Sequence, residues 1–527
     1  MSNKSSIKIE NSKQVNHLII DYLNREENVK PFYTYENTLE GFKQKIKDCR
    51  FSSSKREVLV NRIKKQYESY HLSVPNNLDE LLKENTFTIT TGHQLGLFGG
   101  AKYFIHKIVS TLKLSQTLSE NFPDYNFIPI FWLASEDHDF EEVSKAKLFN
   151  KTIEAQTHLK GAVGRMPSSI FTQAYQELYS ILSNEEEKKL LKELFDENSP
   201  SSTLSEETTR WVSQLFNTTD LIIIDADDKE LKKEFTSIMR DELTQKKAIK
   251  SISKTNKLLK SKGYKTQVTP REINLFYLDD NLRERIVEEE GLYKVLNTNL
   301  KFSKKEIQQE LENNPQKFSP NVILRPLYQE TILPNLAYIG GPGELSYWLQ
   351  LKELFSNYNT PFPALVLRDL YMILPPSVLR QIEKLNLTLE DFFLDKKSML
   401  EQYIKTNNIN QLNIEIQKKQ LEQIKKEIIQ QVQTLDTSSV NSVEIAFHKF
   451  NKELNKIEKK VLKNTKKKEE INLNKISKIK ERILPNGKLA ERSECFIPDY
   501  LSFKEQYLEK LMQISNPFVT EIKVLKQ

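Results

Sequence analysis

The chain holds 527 residues, 28% charged and 38% hydrophobic, with a mean hydropathy of -0.56; it is too long for one small stapled module, too polar for a membrane protein and too apolar for broad disorder. Lys and Arg number 78 against 72 Asp and Glu, and the resulting +6 is too small over this length to imply nucleic-acid binding by itself. Two cysteines, Cys49 and Cys495, leave no disulfide framework or cysteine-rich zinc site, fit a reducing compartment and are expected as buried or inert thiols. The first ten residues carry no signal-peptide stretch and no apolar run approaches a membrane span, so a soluble, helix-rich, cytoplasmic protein with no membrane partner is expected.

In chain order, residues 87–91 are β-branched and aromatic and read as a strand. A glycine-rich stretch follows, Thr91-Gly92-His93-Gln94-Leu95-Gly96-Leu97-Phe98-Gly99-Gly100, and then Tyr103, Ile105, Ile108, Leu112 and Leu114 mark an apolar helix face. Residues 127–132 and 221–224 are continuous apolar runs, as expected for strands buried on both faces. The first ends in Glu136-Asp137-His138-Asp139; the second ends in Asp225-Ala226-Asp227-Asp228 and leads into a helical segment over 229–243. Residues 336–339 are strand-like, run into Gly340-Gly341-Pro342-Gly343 and precede a helix carrying Trp348 and Leu349, while residues 363–367 supply a further strand. This is an α/β pattern over about 85–380, with long insertions between strands.

From about Leu385 the composition turns to Lys, Glu, Gln, Asn and Ile. Leu421, Ile424, Ile428 and Leu435 form one apolar track, and Val443, Phe447, Phe450, Leu454, Ile457 and Val461 step as a heptad. The break at Asp436-Thr437-Ser438-Ser439 predicts an antiparallel helical hairpin whose second arm, over 443–482, would reach about 60 Å and pack on a second subunit or project. Residues 451–482 hold 12 Lys and Arg against 5 Glu, but aromatics for base stacking are absent there, and a solvated coiled-coil face is preferred to an RNA-binding arm. The last forty residues, aromatic and less basic, are expected to return to the core.

Glycine is scarce, 13 in all, and seven fall in the two stretches above, so those stretches are the first candidates for function. A glycine loop between strand and helix can aim backbone N–H groups at a phosphate or carboxylate; the spacing is neither a Walker A loop nor the dinucleotide fingerprint, and a ligand-free tight turn is the alternative. Glu136, Asp137, His138 and Asp139 stand where open α/β sheets bind ligands, beyond a strand's carboxyl end. Acting as a general base, holding an ammonium or carrying Mg2+ through a phosphate are all open to them, as is simple helix capping. Arg325 suits a bidentate clamp on an anion, or a structural salt bridge. His106, on the helix face, is expected to pack.

Taken together, Thr91-Gly92-His93-Gln94 through Phe98-Gly99-Gly100, Phe131-Trp132-Leu133-Ala134-Ser135-Glu136-Asp137-His138-Asp139-Phe140-Glu141-Glu142, Leu324-Arg325-Pro326-Leu327-Tyr328, Gly340-Gly341-Pro342-Gly343-Glu344 and Pro485-Asn486-Gly487-Lys488-Leu489-Ala490-Glu491-Arg492 resemble the cysteine-adding ligase family of bacillithiol biosynthesis over nearly the whole chain. The resemblance implies a Rossmann-like core related to class I aminoacyl-tRNA synthetases and pantothenate synthetase, a helical connecting insertion and a long antiparallel coiled coil that makes a homodimer. It divides the chain into 1–155, N-terminal helices and first half of the core; 156–320, the insertion, interleaved with a core strand near 221–227; 321–384, the second half of the core; 385–482, the coiled coil; and 483–527, the returning segment. It also implies the small-molecule substrates cysteine and glucosaminyl malate, joined through an amide. Because carboxylate and amine do not condense unaided in water, ATP is expected as the activating nucleotide, leaving AMP or ADP; a Mg2+ requirement is left open and no protein metal site is expected. On this reading Thr91, Gly92, His93, Gln94, Gly99 and Gly100 form an anion cradle. Glu136, Asp137, His138 and Asp139 orient the amine and take its proton, and Arg325, Tyr338, Gly340, Gly341, Gly343 and Glu344 line the opposite wall. His93-Gln94-Leu95-Gly96 lacks the second histidine of the synthetases' His-x-Gly-His, so their adenylation mechanism is not carried over. The alternatives are a synthetase-like RNA-binding protein and a coiled-coil scaffold without catalysis.

Overall fold

The computed structural model describes residues 6–195, 202–407, 414–468 and 470–527. One compact unit takes the chain up to Ile373 together with Glu491–Leu525, and a second takes Leu374–Ala490. Among the described residues no helix is long and apolar enough to cross a membrane.

Five parallel strands form the core sheet of the first unit: β1 (Thr86–His93), β2 (Asn126–Leu133), β3 (Ile222–Asp225), β4 (Asn335–Gly340) and β5 (Ala364–Leu367), in spatial order β5-β4-β1-β2-β3. From β1 the chain steps outward to β2 and β3, then returns to the other side of β1 for β4 and β5. The order therefore reverses between β1 and β4, and in such sheets ligands bind in the crevice beyond the carboxyl ends of the two strands at the reversal. The strands are buried along almost their whole length, as the continuous apolar runs require. The threonines of β1 are accommodated by bonding sideways. Thr88 and Thr90 both donate to Asn335 Oδ1, at 3.1 and 2.8 Å, and Thr91 donates to the Ile339 carbonyl at 2.8 Å.

Helix α1 (Tyr103–Asn121) packs on β1 and β2. Leu114 and Leu118 enter a core with Phe87, Ile89, Phe127, Leu336, Ile339 and Val366. Helices α2 (Arg325–Ile332) and α3 (Pro342–Trp348) flank β4. The last segment rejoins this unit: Gln506–Ile514 packs on α1, and Glu521–Lys526 pairs antiparallel with Ser6–Lys8.

The chain between β2 and β4 differs from a purely helical insertion. Helices Thr172–Ile181, Glu185–Phe195 and Leu204–Leu215 precede β3, but beyond Lys247–Ser261 lies a five-stranded antiparallel sheet built from Leu275–Asp279, Leu282–Glu289, Leu292–Val295, Lys301–Phe302 and Phe318–Pro320. Its longest strand, Leu282–Glu289, is half-buried and mostly charged, so its composition imitates a solvated helix. What fixes it as a hairpin is the turn at Glu290 and Gly291, both at positive φ, 54° and 76°, the type I′ geometry that matches strand twist. The helix expected over 229–243 is also divided, into Lys229–Lys233 and Thr236–Gln245. The N–H groups of Glu234 and Phe235 bond three residues back, to Leu231 and Lys232, tightening the chain where Phe235 is fully buried.

In the second unit α4 (Glu415–Leu435) and α5 (Val440–Lys468) form the predicted hairpin, turning at Thr437–Ser439. The ion pair of Lys418 Nζ with Glu458 Oε2 at 2.9 Å ties the start of one arm to the later part of the other, which only an antiparallel pair allows. The second arm continues as α6 (Glu470–Ile483); residue 469, within the expected arm, lies outside the described residues. No residue of α4 is buried, and Ile424, Phe450 and Ile457 of the apolar tracks are 48%, 53% and 51% exposed.

Candidate functional site: the crevice at the strand reversal

The carboxyl ends of β1 and β4 open on a cavity of about 380 Å3. From β1 and the residues after it come Gly92, His93 and Gln94; from α1, Tyr103 and Lys107; from the start of α2, Arg325; from β4 and α3, Tyr338, Gly341, Gly343, Glu344 and Tyr347. Arg368, immediately after β5, and Arg492, on the returning segment, complete the wall. Both glycine stretches thus meet across one crevice, although they lie far apart in the chain.

The cavity is cationic. Lys107, Arg325, Arg368 and Arg492 face it against the carboxylates of Glu142 and Glu344. Lys107 is buried on α1, with Nζ on the Gly92 carbonyl and on Glu344 Oε1, the latter at 2.8 Å. Burial pulls its ammonium below the ordinary value, and Glu344 opposes this. Burial works against ionisation of Glu344 too, but the Lys107 ammonium, the Gly341 N–H and the Tyr338 hydroxyl hold its carboxyl down at about 2. The two groups satisfy each other within the wall. Arg325 is different: it donates to Gln329 and to the Tyr347 hydroxyl, each at 3.2 Å, and lies over the Tyr338 ring. It forms no ion pair with a carboxylate among the described residues, so the salt-bridge alternative does not hold. Arg492 likewise has no carboxylate partner among them.

His93 packs tilted against Tyr103 and edge-on to Phe104, with ring centroids 5.1 Å from each. Its Nδ1 lies 2.9 Å from the Gln94 carbonyl; a carbonyl only accepts, so Nδ1 carries the proton and Nε2 keeps its lone pair. Burial, helped by the Lys107 charge, lowers the imidazole to about 4, so it is neutral at pH 7. The Gln94 amide nitrogen donates to Asp137 Oδ2 at 2.7 Å and to Glu142 Oε2 at 3.0 Å. Both of its protons are thereby used, which fixes the amide and leaves its oxygen as an acceptor beside the cavity.

The other candidate residues stand elsewhere. Thr91 is buried and bonds to β4. Gly99 and Gly100 do not line the cavity: their N–H groups donate to the carbonyls of Gly96 and Leu97 at 2.8 Å each, and their positive φ, 76° and 65°, serves the turn around Phe98. Gly340 lies at the end of β4, with its carbonyl accepting from the Arg368 N–H. Of the acidic run, none lines the cavity. Glu136 pairs with Lys232, which also holds Asp227 at 2.9 Å; burial raises the Glu136 carboxyl and Lys232 opposes the rise. Asp137 is held well below the usual carboxylate range: burial opposes this, but hydrogen bonds from His138 and Gln94 and the Arg283 charge prevail. His138 Nδ1 accepts from Arg283 at 2.7 Å. Asp139 accepts from the Glu142 N–H at 3.2 Å, capping the short helix Phe140–Val143.

His106 packs as expected, fully buried with Nδ1 donating to Glu491 at 2.8 Å. Burial raises both thiols, that of Cys495 up to about 12, so both stay protonated and unreactive. Lys107, Arg368, Arg492, Tyr103 and Tyr347 escaped sequence reasoning. Arg492 stands in the Pro485 to Arg492 run, and Arg368 directly follows the last core strand; those were the available signals.

Residues 3–369 match the family described as bacillithiol biosynthesis BshC, N-terminal Rossmann-like domain, and residues 371–527 match the BshC C-terminal coiled-coil domain. A protein of Flavobacterium psychrophilum named "Putative cysteine ligase BshC" is 38% identical over 532 residues, covering 99% of each chain. One of Flavobacterium johnsoniae with the same name is 38% identical, covering 98% of this chain and 99% of its own, and one of Bacillus cereus is 28% identical, covering 94% and 95%. With both halves matched and relatives aligned end to end, the chain belongs to the BshC family of bacillithiol biosynthesis.

Proposed function

We propose that this chain is a ligase that joins the carboxyl group of L-cysteine to the amine of glucosaminyl malate in the crevice between β1 and β4, with ATP activating the carboxylate. One observation carries the reading: the cavity holds two guanidinium groups, Arg325 and Arg492, without a carboxylate partner among the described residues. Cations left unpaired in a crevice at a strand reversal suit anionic substrates, and both the malyl group and a nucleotide are anionic. The relatives' printed name supplies the cysteine and the ligase chemistry. The strand order also suits a kinship with class I aminoacyl-tRNA synthetases, which likewise activate a carboxylate with ATP.

In this reading the cysteine carboxylate attacks a phosphorus of ATP, forming an acyl adenylate with loss of pyrophosphate or an acyl phosphate with loss of ADP. The amine then attacks the acyl carbon; the C–N bond forms, the C–O bond to AMP or phosphate breaks, and the amine proton leaves to a base. His93, neutral with Nε2 unprotonated, can accept a hydrogen bond from the amine and orient it, while an imidazole lowered to about 4 is too weak a base to keep the proton, which passes to solvent. Asp137, held strongly ionised, serves as the anchor of Gln94, whose free amide oxygen suits an N–H or hydroxyl of the substrate. Mg2+ would enter with the nucleotide phosphates, since among the described residues no three His, Cys, Asp or Glu side chains gather to hold a metal. The exposed apolar track of the hairpin suits a homodimer built on α4 and α5, in a protein working in the cytoplasm.

The test is a mass-spectrometric assay with purified protein, cysteine and glucosaminyl malate, with and without Mg-ATP. Condensed thiol formed only with nucleotide, together with AMP or ADP, supports the reading. Absence of product under all conditions, with both substrates shown intact, contradicts it.

A further inference from the structure

Arg368 is the most constrained cation of the cavity. Its side chain is 2% exposed, and Nη2 donates to Glu491 Oε1 at 2.7 Å. Nη1 donates to the Asp369 carbonyl at 2.8 Å, the guanidinium lies over the Tyr103 ring at 5.1 Å, and the backbone N–H donates to the Gly340 carbonyl at 3.0 Å. Nε, by contrast, is buried and has no hydrogen-bond partner. It lies beside Gly341, where an added Cβ would come within 3.8 Å of it, on a stretch of wall that glycine leaves open. A charged donor buried without an acceptor costs free energy, and an anionic oxygen in the crevice would remove that cost.

Glu491 holds this arrangement in place. It is completely buried; its second oxygen accepts from His106 Nδ1 on α1 at 2.8 Å and from the Tyr371 N–H at 2.9 Å. Two donors, one on α1 and one just beyond β5, thus fix the carboxylate, and that carboxylate fixes the guanidinium through one of its two terminal nitrogens. A buried ion pair is weak as a source of stability but strong as a constraint on geometry.

We propose that Glu491 is a positioning residue that holds Arg368 so that its Nε–H meets an anionic oxygen of the bound substrate, a carboxylate of the malyl group or a phosphate of the nucleotide. The inference rests on the ligase reading above and adds to it a residue of recognition and the group that aims it.

The test is calorimetric titration of the full chain with two probes separately: glucosaminyl malate without nucleotide, and ATP. Arg368→Lys keeps the charge but loses the fork and its Nε–H; Glu491→Gln keeps the size and one acceptor but loses the charge. Arg368→Lys should weaken one probe tenfold or more and leave the other within twofold, and Glu491→Gln should weaken the same probe at least fivefold. Selective loss of glucosaminyl malate assigns the carboxylate; selective loss of ATP assigns the phosphate. Unchanged affinities for both probes, or equal losses for both, overturn the inference. Should either single variant fail to fold, Arg368→Gln with Glu491→Gln removes both charges together and must show the same selective loss. Wild-type protein that binds neither probe sinks the ligase reading along with the inference; wild-type binding that the variants leave untouched sinks the inference alone.

Discussion

Replacing Arg325 by Met removes a guanidinium that lines the cavity while meeting no carboxylate partner among the described residues. The two effects of the change can be sized separately. For folding, Arg325 contributes two hydrogen bonds at 3.2 Å, to Gln329 and Tyr347, near the long end of the useful range. Against their loss stands the desolvation cost of the buried guanidinium, which the more distant Glu344 charge offsets in part and which Met removes. The net change in unfolding free energy should stay within about 1 kcal/mol. For binding, a charge-assisted hydrogen bond to an anion contributes about 1.5–3 kcal/mol, so the dissociation constant of the anionic ligand should rise about 10- to 150-fold. Titration calorimetry with glucosaminyl malate and with ATP, beside urea unfolding of the same samples, separates the two. Affinities within twofold of wild type for both ligands would refute the anionic assignment of the cavity, and a loss of several kcal/mol of stability would show that Arg325 is structural.

Glu330 is 7% exposed, and burial, against the Lys45 charge and bonds from Asn335 and Gln329, lifts its carboxyl to about 7. A carboxyl raised above its unfolded value of about 4.3 binds more protons when folded, so its contribution falls as pH rises from about 4 through 7. Glu330→Gln keeps an acceptor for both neighbours and should gain up to about 3 kcal/mol in urea unfolding at pH 8 relative to its effect at pH 5; the same effect at both values would contradict this. At Gly92 an added Cβ would meet the Trp132 carbonyl oxygen at 3.2 Å and Trp132 Cβ at 3.4 Å, so Gly92→Ala should cost about 1–3 kcal/mol and shift the carbonyl that Lys107 holds; wild-type stability would show that the strands separate freely there. Changing Ile424, Phe450 and Ile457 together to Lys should convert a dimer to a monomer in sedimentation without loss of helical circular dichroism, and a monomeric wild type would remove the dimer proposal.

The core strands were legible because burial on both faces demands unbroken apolar runs, as in residues 127–132. The hairpin was legible because an unbroken heptad from Val443 to Val461 gathers its apolar side chains into one narrow helix stripe, which a second helix must cover. The antiparallel sheet was hidden by the charged residues of Leu282–Glu289, whose half-buried faces tolerate a helix-like composition. At the site, scarce glycine pointed to the right crevice through Gly92 and Gly341, but Gly99 and Gly100 consume their own N–H groups in a turn. The acidic run stood beyond the correct strand, while its side chains bond to Lys232, Gln94, Arg283 and the Glu142 backbone instead of facing the cavity. Lys107 sits inside an apolar helix, and Arg368 and Glu491 come from segments 123 residues apart; nothing local in either neighbourhood announces that they meet.

The central claim is that this crevice activates the cysteine carboxyl with nucleotide before the amide forms. Turnover of cysteine labelled with 18O in both carboxyl oxygens, with glucosaminyl malate and Mg-ATP, tests it directly, because the activated oxygen must leave with its phosphorus. The account predicts one 18O in the released AMP or inorganic phosphate for each amide made. Amide formed with no label in either would contradict it.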